Sequence, residues 1–488
     1  MTRPTVLVTG ATGYIGGRLV PRLLASGVAV RCLARTPARL AGRAWSSDPT
    51  VTVVAGDALD SAALDRALAG CTTAYYLIHA LAAGEGFAAR DRDAARRFGE
   101  AAVRAGVRQV LYLGGLGEAR ADLSPHLRSR HETGAALRAT GAPVTELRAA
   151  VIVGSGSLSF EMIRYLTERV PVMICPRWVS TRCQPIAIRD VLDYLVAARG
   201  DDGAIGRVFE IGGPDVVTYG DMMRTYARLR GLKRVLLPVP VLTPRLSSYW
   251  VDLVTPIPKE IARTLVEGMR NEVIVHGDEA RRRFGVEPTP FATAVRLALE
   301  DADRGDVETD WAGAFPAGPL EGTVSLEQRE GRFFERRARL VHAPASRVYA
   351  TFAGIGGRRG WYFGNALWRL RGVLDRLVGG VGMRRGRRHP DDLRPGDALD
   401  FWRVESVEPG RALRLRAEMR VPGCAWLVFE GEPDPANAGE TQLRQTAVFE
   451  PRGLFGLVYW YALYPLHRIV FDGLIESIRR RAESADSR

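Results

Sequence analysis

The stretch Thr5-Val-Leu-Val-Thr-Gly-Ala-Thr-Gly-Tyr-Ile-Gly-Gly17 joins a short apolar run to the first turn of an amphipathic pattern. Its opening residues, TVLVT, have the β-branched, uncharged character of a strand buried on both faces. Gly10, Gly13 and Gly16 follow, and apolar residues then recur at helical spacing from Ile15 to Ala25. Glycines between a strand and a helix serve three purposes: a tight turn, an unobstructed approach of a pyrophosphate to the backbone, and close packing of helix on strand. The free N–H groups and positive dipole end of such a helix favour phosphates. Thr12, Tyr14 and Ile15 therefore join Gly10, Gly13 and Gly16 as candidate dinucleotide contacts. Glycine spacing alone is a weak signal. Its place here, directly after a strand and at the head of a strand–helix series, gives it weight.

From this junction outward, the runs VAVRCLAR (28–35), VTVVAG (51–56), TAYYLI (73–78) and QVLYLGG (109–115) alternate with amphipathic stretches such as 61–68 and 88–105. Such alternation builds βαβ units. Residues 1–305 are expected to form an α/β domain, a Rossmann-type doubly wound parallel sheet with a mostly helical, substrate-side extension over 231–305. The end of the second strand bears on which dinucleotide would bind. An NAD site commonly places an acid there for the ribose 2′-hydroxyl. Here the strand ends Leu33-Ala34-Arg35-Thr36-Pro37, with Arg39 close by and no acid. Arg35 and Arg39 suit a 2′-phosphate, which favours NADP over NAD; a solvated loop in an arginine-rich chain is the plainer reading. Asp57, after Gly56 at the end of the third strand, can accept from an adenine amino group or simply shape a turn. Leu77 ends the fourth strand, and 77–80 should pass beside the cofactor's ribose.

The motif TGATGYIGG, the arginine after strand two and Gly56-Asp57 resemble the atypical, NmrA-like branch of the short-chain dehydrogenase/reductase (SDR) superfamily, over about residues 4–300. The resemblance implies a seven-stranded doubly wound sheet, with a substrate pocket built by the later part of that region. It also implies a catalytic Tyr, a Lys four residues on and a Ser after strand five, and the sequence departs at all three places. Strand five is followed by Leu113-Gly-Gly-Leu-Gly117, and the next helix opens Pro125-His126-Leu-Arg-Ser-Arg130. His126 and Arg130 keep the spacing and change the chemistry. An imidazole moves protons near neutral pH; a guanidinium cannot act as a base but can orient a substrate or phosphate. A capped surface turn is the plainer reading of the same residues. Pro176–Pro185 (PRWVSTRCQP) offers an aromatic, two arginines and hydroxyls to a pocket or to packing. Asp190 reads as an N-cap, and Lys259 as a chance survivor in a nearly lysine-free chain.

Residues 306–324, rich in Gly, Pro and acids, read as a linker. Beyond it the period becomes two: in LRLRAEMR (413–420) apolar residues alternate with charged ones, as in an antiparallel strand with one wet face. Similar strands fit 325–342, 397–407, 424–431 and 441–450. Helices fit 343–353, 364–378 and a long C-terminal segment in which Leu466, Val470, Leu474 and Ile478 form one stripe. This α+β domain, 325–483, resembles the helix-grip fold of polyketide-cyclase and START-like proteins. The resemblance implies an apolar cavity between sheet and helix. Trp361–Trp368, Asp400–Arg403 and Trp460 give it an aromatic character better suited to core than to a ligand shelf. Arg384–Arg388 is a basic run that could grip an anion or lie solvated. The uncharged run 453–466 (GLFGLVYWYALYPL), closed by Pro465, His467 and Arg468, is short for a membrane span. A peripheral membrane contact through 453–471 stays open.

The chain has 488 residues and a formal charge of +13, but only Lys233 and Lys259 are lysines. Abundant arginine together with alanine suggests a GC-rich genome, which discounts the charge as evidence for a nucleic-acid partner, and none is expected, since basic charge must cluster on one face to count. Five scattered cysteines suit buried thiols in a reducing cytoplasm rather than disulfides. No secretory pattern precedes the first strand. The sequence thus points to a cytoplasmic NADP-dependent oxidoreductase acting on an apolar small molecule. Two readings stand beside it: an NADP(H)-sensing regulator without turnover, and a lipid or polyketide carrier whose Rossmann domain is structural. The oligomeric state is not legible.

Overall fold

A computed structural model describes residues 3–40, 43–79, 87–118, 123–239, 259–304, 309, 324–329, 332–382, 387, 389, 392–434 and 437–484. The chain divides into two compact units, Met1–Ala317 and Gly318–Arg488.

In the first unit, β1 (Thr5–Thr9), β2 (Ala29–Ala34), β3 (Val51–Ala55), β4 (Cys71–Tyr76), β5 (Gln109–Gly115), β6 (Val144–Ala149) and β7 (Val208–Ile211) form one sheet in the order β7-β6-β5-β4-β1-β2-β3. Every pairing is parallel. This is the expected seven-stranded doubly wound sheet. Val6 and Val8 enter one buried cluster with Leu19 and Leu192, whereas Leu7 enters another with Leu64 and Phe98. The two-residue period of β1 thus feeds cores on both faces. The covering helices are α1 (Tyr14–Ala25), α2 (Ser61–Leu68), α3 (Phe87–Arg104), α4 (Pro125–Ala139), α5 (Leu158–Arg169) and α6 (Ile188–Ala197). The chain winds from β1 to β3 in one direction and then returns to place β4 on the other side of β1, so a crevice opens between the ends of β1 and β4. Helix α4 is held from beneath. The buried Glu146 carboxylate on β6 pairs with Arg138 of α4 and lies 2.7 Å from Arg148 Nε. A Cβ on Gly134 would come within 2.5 Å of that carboxylate.

A third cluster builds the extension from α5, α7 (Tyr219–Leu229), α8 (Lys259–Gly268) and α10 (Phe291–Arg304), with the short α9 (Glu279–Phe284) beside β7. The extension is not all helical: Val235–Pro238 pairs in parallel with Val172–Cys175. Asp190 does not cap α6, whose N-cap is Ala187; it accepts from Thr289 N at 2.6 Å and Thr289 Oγ1 at 2.8 Å, tying α6 to the loop before α10. Trp178 is buried against Tyr219, so the 176–185 loop serves packing. The expected linker lies outside the described residues apart from Thr309 and Val324, and Thr309 is not free-running chain. It is buried, its Oγ1 donates to Tyr14 O at 2.8 Å, and Arg18 Nε donates to it at 2.8 Å.

The second unit is an antiparallel sheet with a long helix. Its strands are β8 (Val324–Arg329), β9 (Arg332–Val341), β10 (Ala398–Leu399), β11 (Trp402–Glu408), β12 (Ala412–Ala417), β13 (Gly423–Asp434) and β14 (Asn437–Pro451), in the order β8-β9-β14-β13-β12-β11-β10. The stretch expected as one strand, 325–342, is two strands, with Arg329 paired to Arg332. Helices α11 (Ala345–Ala353), α12 (Asn365–Leu377) and α13 (Gly453–Ser484) complete the unit, and α13 runs on through Pro465. Val470, Leu474 and Ile478 are buried, but Leu466 is exposed. A step of four residues advances about 400° in a helix of 3.6 residues per turn, so three steps rotate Leu466 about 120° away from Ile478. Trp361, Trp368, Phe401 and Trp402 are core, packed with Phe471 and Leu474 of α13. Among the described residues, no helix is long and apolar enough to cross a membrane. The side chain of Lys259 and all of Arg384–Arg388 except Arg387 lie outside the described residues; Arg387 Nη1 donates to the carbonyls of Ala353 at 2.6 Å and Ile355 at 2.8 Å. The five cysteines are free thiols, and burial pushes Cys32 and Cys183 each up to about 12.

Candidate active site

The crevice between β1 and β4 is the mouth of a cleft of about 650 Å³. Gly10, Thr12, Gly13, Tyr14, Ile15 and Gly16 line it at the start of α1, with Arg35 at the end of β2, Asp57 after β3 and Leu77 after β4. Local sequence explains the turn. Gly10 has φ +73°, and a Cβ there would lie 2.7 Å from Leu77 O. A Cβ on Gly16 would lie 2.3 Å from Gly10 O, so the helix crosses the turn at glycine-only distance. Gly13 is the N-cap of α1, with no side-chain cap bond and no acid in the first turn. That leaves the helix's positive end open to an anion.

Arg35 is exposed and has no hydrogen-bond or ion-pair partner among the described residues. Arg39 sits in the 3₁₀ turn Pro37–Arg39 and is not among the residues lining the cleft. Asp57 forms the expected turn, its Oδ1 accepting from Leu59 N at 2.9 Å, and it also lines the cleft. Leu77, Ile78 and His79 pass along the cleft wall, while Ala80 lies outside the described residues. The far end is apolar, lined by Leu116, Leu127, Val151, Leu265, Met269 and Val273.

His126 and Arg130 also line the cleft, but not in isolation. Ser124 caps α4 through Leu127 N, placing His126 in the first turn. His126 Nδ1 lies 3.2 Å from His79 Nε2, and His79 Nδ1 lies 3.0 Å from Asp91 Oδ2 near the start of α3. The two imidazoles have their centroids 4.9 Å apart. Arg130 donates to Leu113 O, and its guanidinium lies 5.5 Å from the Tyr112 ring. Burial holds both histidines below the usual imidazole range. Arg130 lowers both further, His79 lowers His126, and Asp91 partly offsets the effect on His79. His79, Asp91 and a third cleft arginine, Arg90, carried no motif in the sequence. The available signal for His79 was its place just past the end of a strand beside the crevice, where this fold puts its chemistry.

Residues 10–159 match the family described as NAD(P)H-binding, and residues 329–474 match a family described as a protein of unknown function, DUF2867. The chain is 31% identical over 233 residues to the (4-alkanoyl-5-oxo-2,5-dihydrofuran-3-yl)methyl phosphate reductase of Streptomyces griseus, covering 46% of this chain and 74% of that protein. It is 30% identical over 241 residues to the ceramide reductase of Caulobacter vibrioides, covering 49% and 74% respectively. In fold it matches the triphenylmethane reductase of Citrobacter sp. with a TM-score of 0.51 at 20% identity, covering 61% of this chain and 99% of that one. The NADPH complex of an Escherichia coli quinone oxidoreductase matches with a TM-score of 0.50 at 20% identity, covering 60% and 99%. With its glycine turn, its sheet order and these relatives, the first unit belongs to the NAD(P)H-binding reductases of the atypical, NmrA-like SDR group, and a DUF2867 domain follows it in the same chain.

Proposed function

We propose that the chain is an NADP(H)-dependent reductase of an apolar small molecule that carries a reducible carbonyl group. One observation carries the reading. One cleft is lined by a glycine turn, an arginine with no partner among the described residues, a part-buried histidine pair and a group of apolar side chains. The residues fit the cofactor. The open first turn of α1 suits the pyrophosphate, Arg35 suits a 2′-phosphate, and Asp57 keeps one carboxylate oxygen clear of its turn bond to Leu59. When bound, reduced nicotinamide supplies hydride. The protein orients both partners and excludes water with Leu116, Leu127, Leu265 and Met269. The Streptomyces griseus and Caulobacter vibrioides relatives, a (4-alkanoyl-5-oxo-2,5-dihydrofuran-3-yl)methyl phosphate reductase and a ceramide reductase, support reduction and a partly apolar substrate.

The test has two stages. NADPH fluorescence should rise on binding, with NADH binding more weakly. NADPH should then be oxidised when an apolar carbonyl probe such as 9,10-phenanthrenequinone or a long-chain ketone is added. Binding without oxidation by any carbonyl in such a panel would favour the cofactor-sensing regulator, and no binding would remove both readings.

A further inference from the structure

The histidine pair has a directional hydrogen-bond pattern. A carboxylate only accepts, so His79 must donate from Nδ1 to Asp91. That fixes the His79 tautomer and leaves its Nε2 facing His126 Nδ1 across 3.2 Å. Among the described residues His126 Nε2 has no partner, and His126 lines the cleft. With no extra proton on the pair, His126 donates from Nδ1 to His79 and presents a bare Nε2. With one extra proton, stabilised beside Asp91, His79 donates from Nε2 and His126 presents an Nε2–H. Arg130 cannot take this part, since its guanidinium does not act as a base and is tied to Leu113 O.

Resting on the reductase reading, we propose that Asp91, His79 and His126 form a proton relay that delivers its proton from His126 Nε2 to the substrate's carbonyl oxygen as the hydride reaches the carbon. The carbonyl π bond breaks, and C–H and O–H bonds form. The nicotinamide is the electron donor and is oxidised. His126 replaces its lost proton by taking the His79 Nε2 proton on Nδ1, and the pair, now neutral, is recharged from solvent. The charged groups acting on the pair are Asp91 from α3 and Arg130 from α4; Tyr76 of β4 and Tyr112 of β5 lie near Asp91 and Arg130, and Arg90 of α3 lines the same cleft. Leu265 and Met269 from α8 and its C-terminal end bring no charge.

Two measurements test the relay in the full chain. Long-range ¹H–¹⁵N spectra of histidine-labelled protein read the tautomers without any turnover. His79 is expected as the Nδ1–H form, reverting to mixed tautomers in Asp91→Asn; a His79 Nε2–H form in the unliganded protein at neutral pH overturns the proposal. With NADPH and 9,10-phenanthrenequinone, His126→Gln should lower kcat about 10²–10⁴-fold with little change in NADPH binding. The relay must be protonated to act, so kcat should fall as pH rises through the titration of the pair; Asp91→Asn should move that falling limb to lower pH, and Arg130→Gln should move it to higher pH. An unchanged pH profile in both variants refutes the relay. Absence of NADPH binding in the parent protein refutes the reductase reading instead, and the tautomer spectra still decide the relay.

The second unit carries an independent feature. Leu367, Leu370, Leu374 and Leu377 make an exposed stripe on α12, and Leu454, Phe455, Val458, Tyr461 and Ile469 make one on α13; Leu377 is 77% and Phe455 73% exposed. The helices are neighbours, joined by Arg371 Nη2 to Tyr459 Oη at 3.3 Å and by Trp368 against Phe471. Within 365–378 and 452–469 the charged side chains are Arg369, Arg371, Arg376, Arg452 and Arg468, plus one acid, Asp375, which is buried and accepts backbone N–H bonds from Gly382 and Arg420. An apolar stripe flanked only by arginine suits an anionic lipid surface, whereas a second copy of the same face would set arginine against arginine. We infer that α12 and the first half of α13 dock on an anionic bilayer. Vesicles containing phosphatidylglycerol should sediment the protein and pure phosphatidylcholine vesicles should not, with Leu377→Glu and Phe455→Glu each lowering the partition about tenfold or more. Failure to bind anionic vesicles, equal binding to both kinds, or a dimer in ultracentrifugation that Phe455→Glu dissolves would overturn it.

Discussion

Arg35→Ala is the sharpest single test of the cofactor reading. The side chain ends β2, lines the cleft and has no partner among the described residues, so removing it breaks no bond that holds the fold. A hydrogen bond to a charged group contributes about 1.5–3 kcal/mol, and each 1.4 kcal/mol is about tenfold in affinity. The full range is therefore about 10- to 150-fold. Arg35 is exposed, and salt screens it. The lower end applies: NADPH should bind about tenfold more weakly at physiological ionic strength, NADH should change by less than about twofold, and the melting temperature should stay put. Cofactor fluorescence titrations at low and high salt measure this, and the preference for NADPH should shrink as salt rises in the parent but not in the variant. Equal losses for both cofactors, or no loss for either, would refute the assignment of Arg35 to the 2′-phosphate. Arg39→Ala should leave both affinities within about twofold, since Arg39 does not line the cleft.

Gly16→Ala would place a Cβ against Gly10 O and Ala11 Cα, backbone that cannot step aside. Overpacking of this kind costs about 1–3 kcal/mol, so calorimetry should show a lower melting temperature for the first unit together with weakened binding of both cofactors. His79 and His126 have folded-state pKa values below the unfolded value of about 6.5, so the unfolded chain takes up protons first as pH falls. Stability from this source is complete above that value and declines below it; urea midpoints across the acid range should show the slope, and His79→Gln/His126→Gln should flatten it. In the second unit, Arg337 and Glu335 are wholly buried 2.6 Å apart, and Arg337 also reaches Asp472 of α13 at 2.9 Å. Arg337→Met should destabilise that unit by about 3–5 kcal/mol in urea unfolding, and adding Glu335→Met should recover much of the loss.

The first unit was legible where periodicity and glycine chemistry act locally. TVLVTGATGYIGG specifies strand, turn and helix from neighbours in sequence, and the apolar runs through 115 set the parallel sheet. The glycine-turn side of the cleft, with Arg35, Asp57 and Leu77, followed from the ends of those strands. The chemistry end did not, because Asp91 and His126 are brought to His79 by helices whose relative placement depends on packing across the sheet. His126 could be found only through the spacing of a resemblance, and its partners carried no signal of their own. In the second unit, alternation revealed the strands but not the break between Arg329 and Arg332, since both halves keep the same period. The four-residue count in α13 followed a stripe that drifts around the helix, and so included Leu466 on the wrong face. The aromatics were read as core because Trp and Phe bury large areas wherever two layers meet, and Trp361 and Trp368 do so here.

Thr309 sets where the first unit can be cut. Arg18 is a buried cation whose Nη2 donates to Ser155 O at 3.0 Å and Thr309 O at 3.2 Å, while its Nε is satisfied by the Thr309 hydroxyl. A truncation after 305 would remove two of the three hydrogen bonds that the described residues give that guanidinium, leaving Ser155 O and the Tyr14 ring beside it at the start of α1. The shortest self-sufficient fragment must therefore reach past 309, and a protease nick upstream of that residue would be felt at the glycine turn and the start of α1.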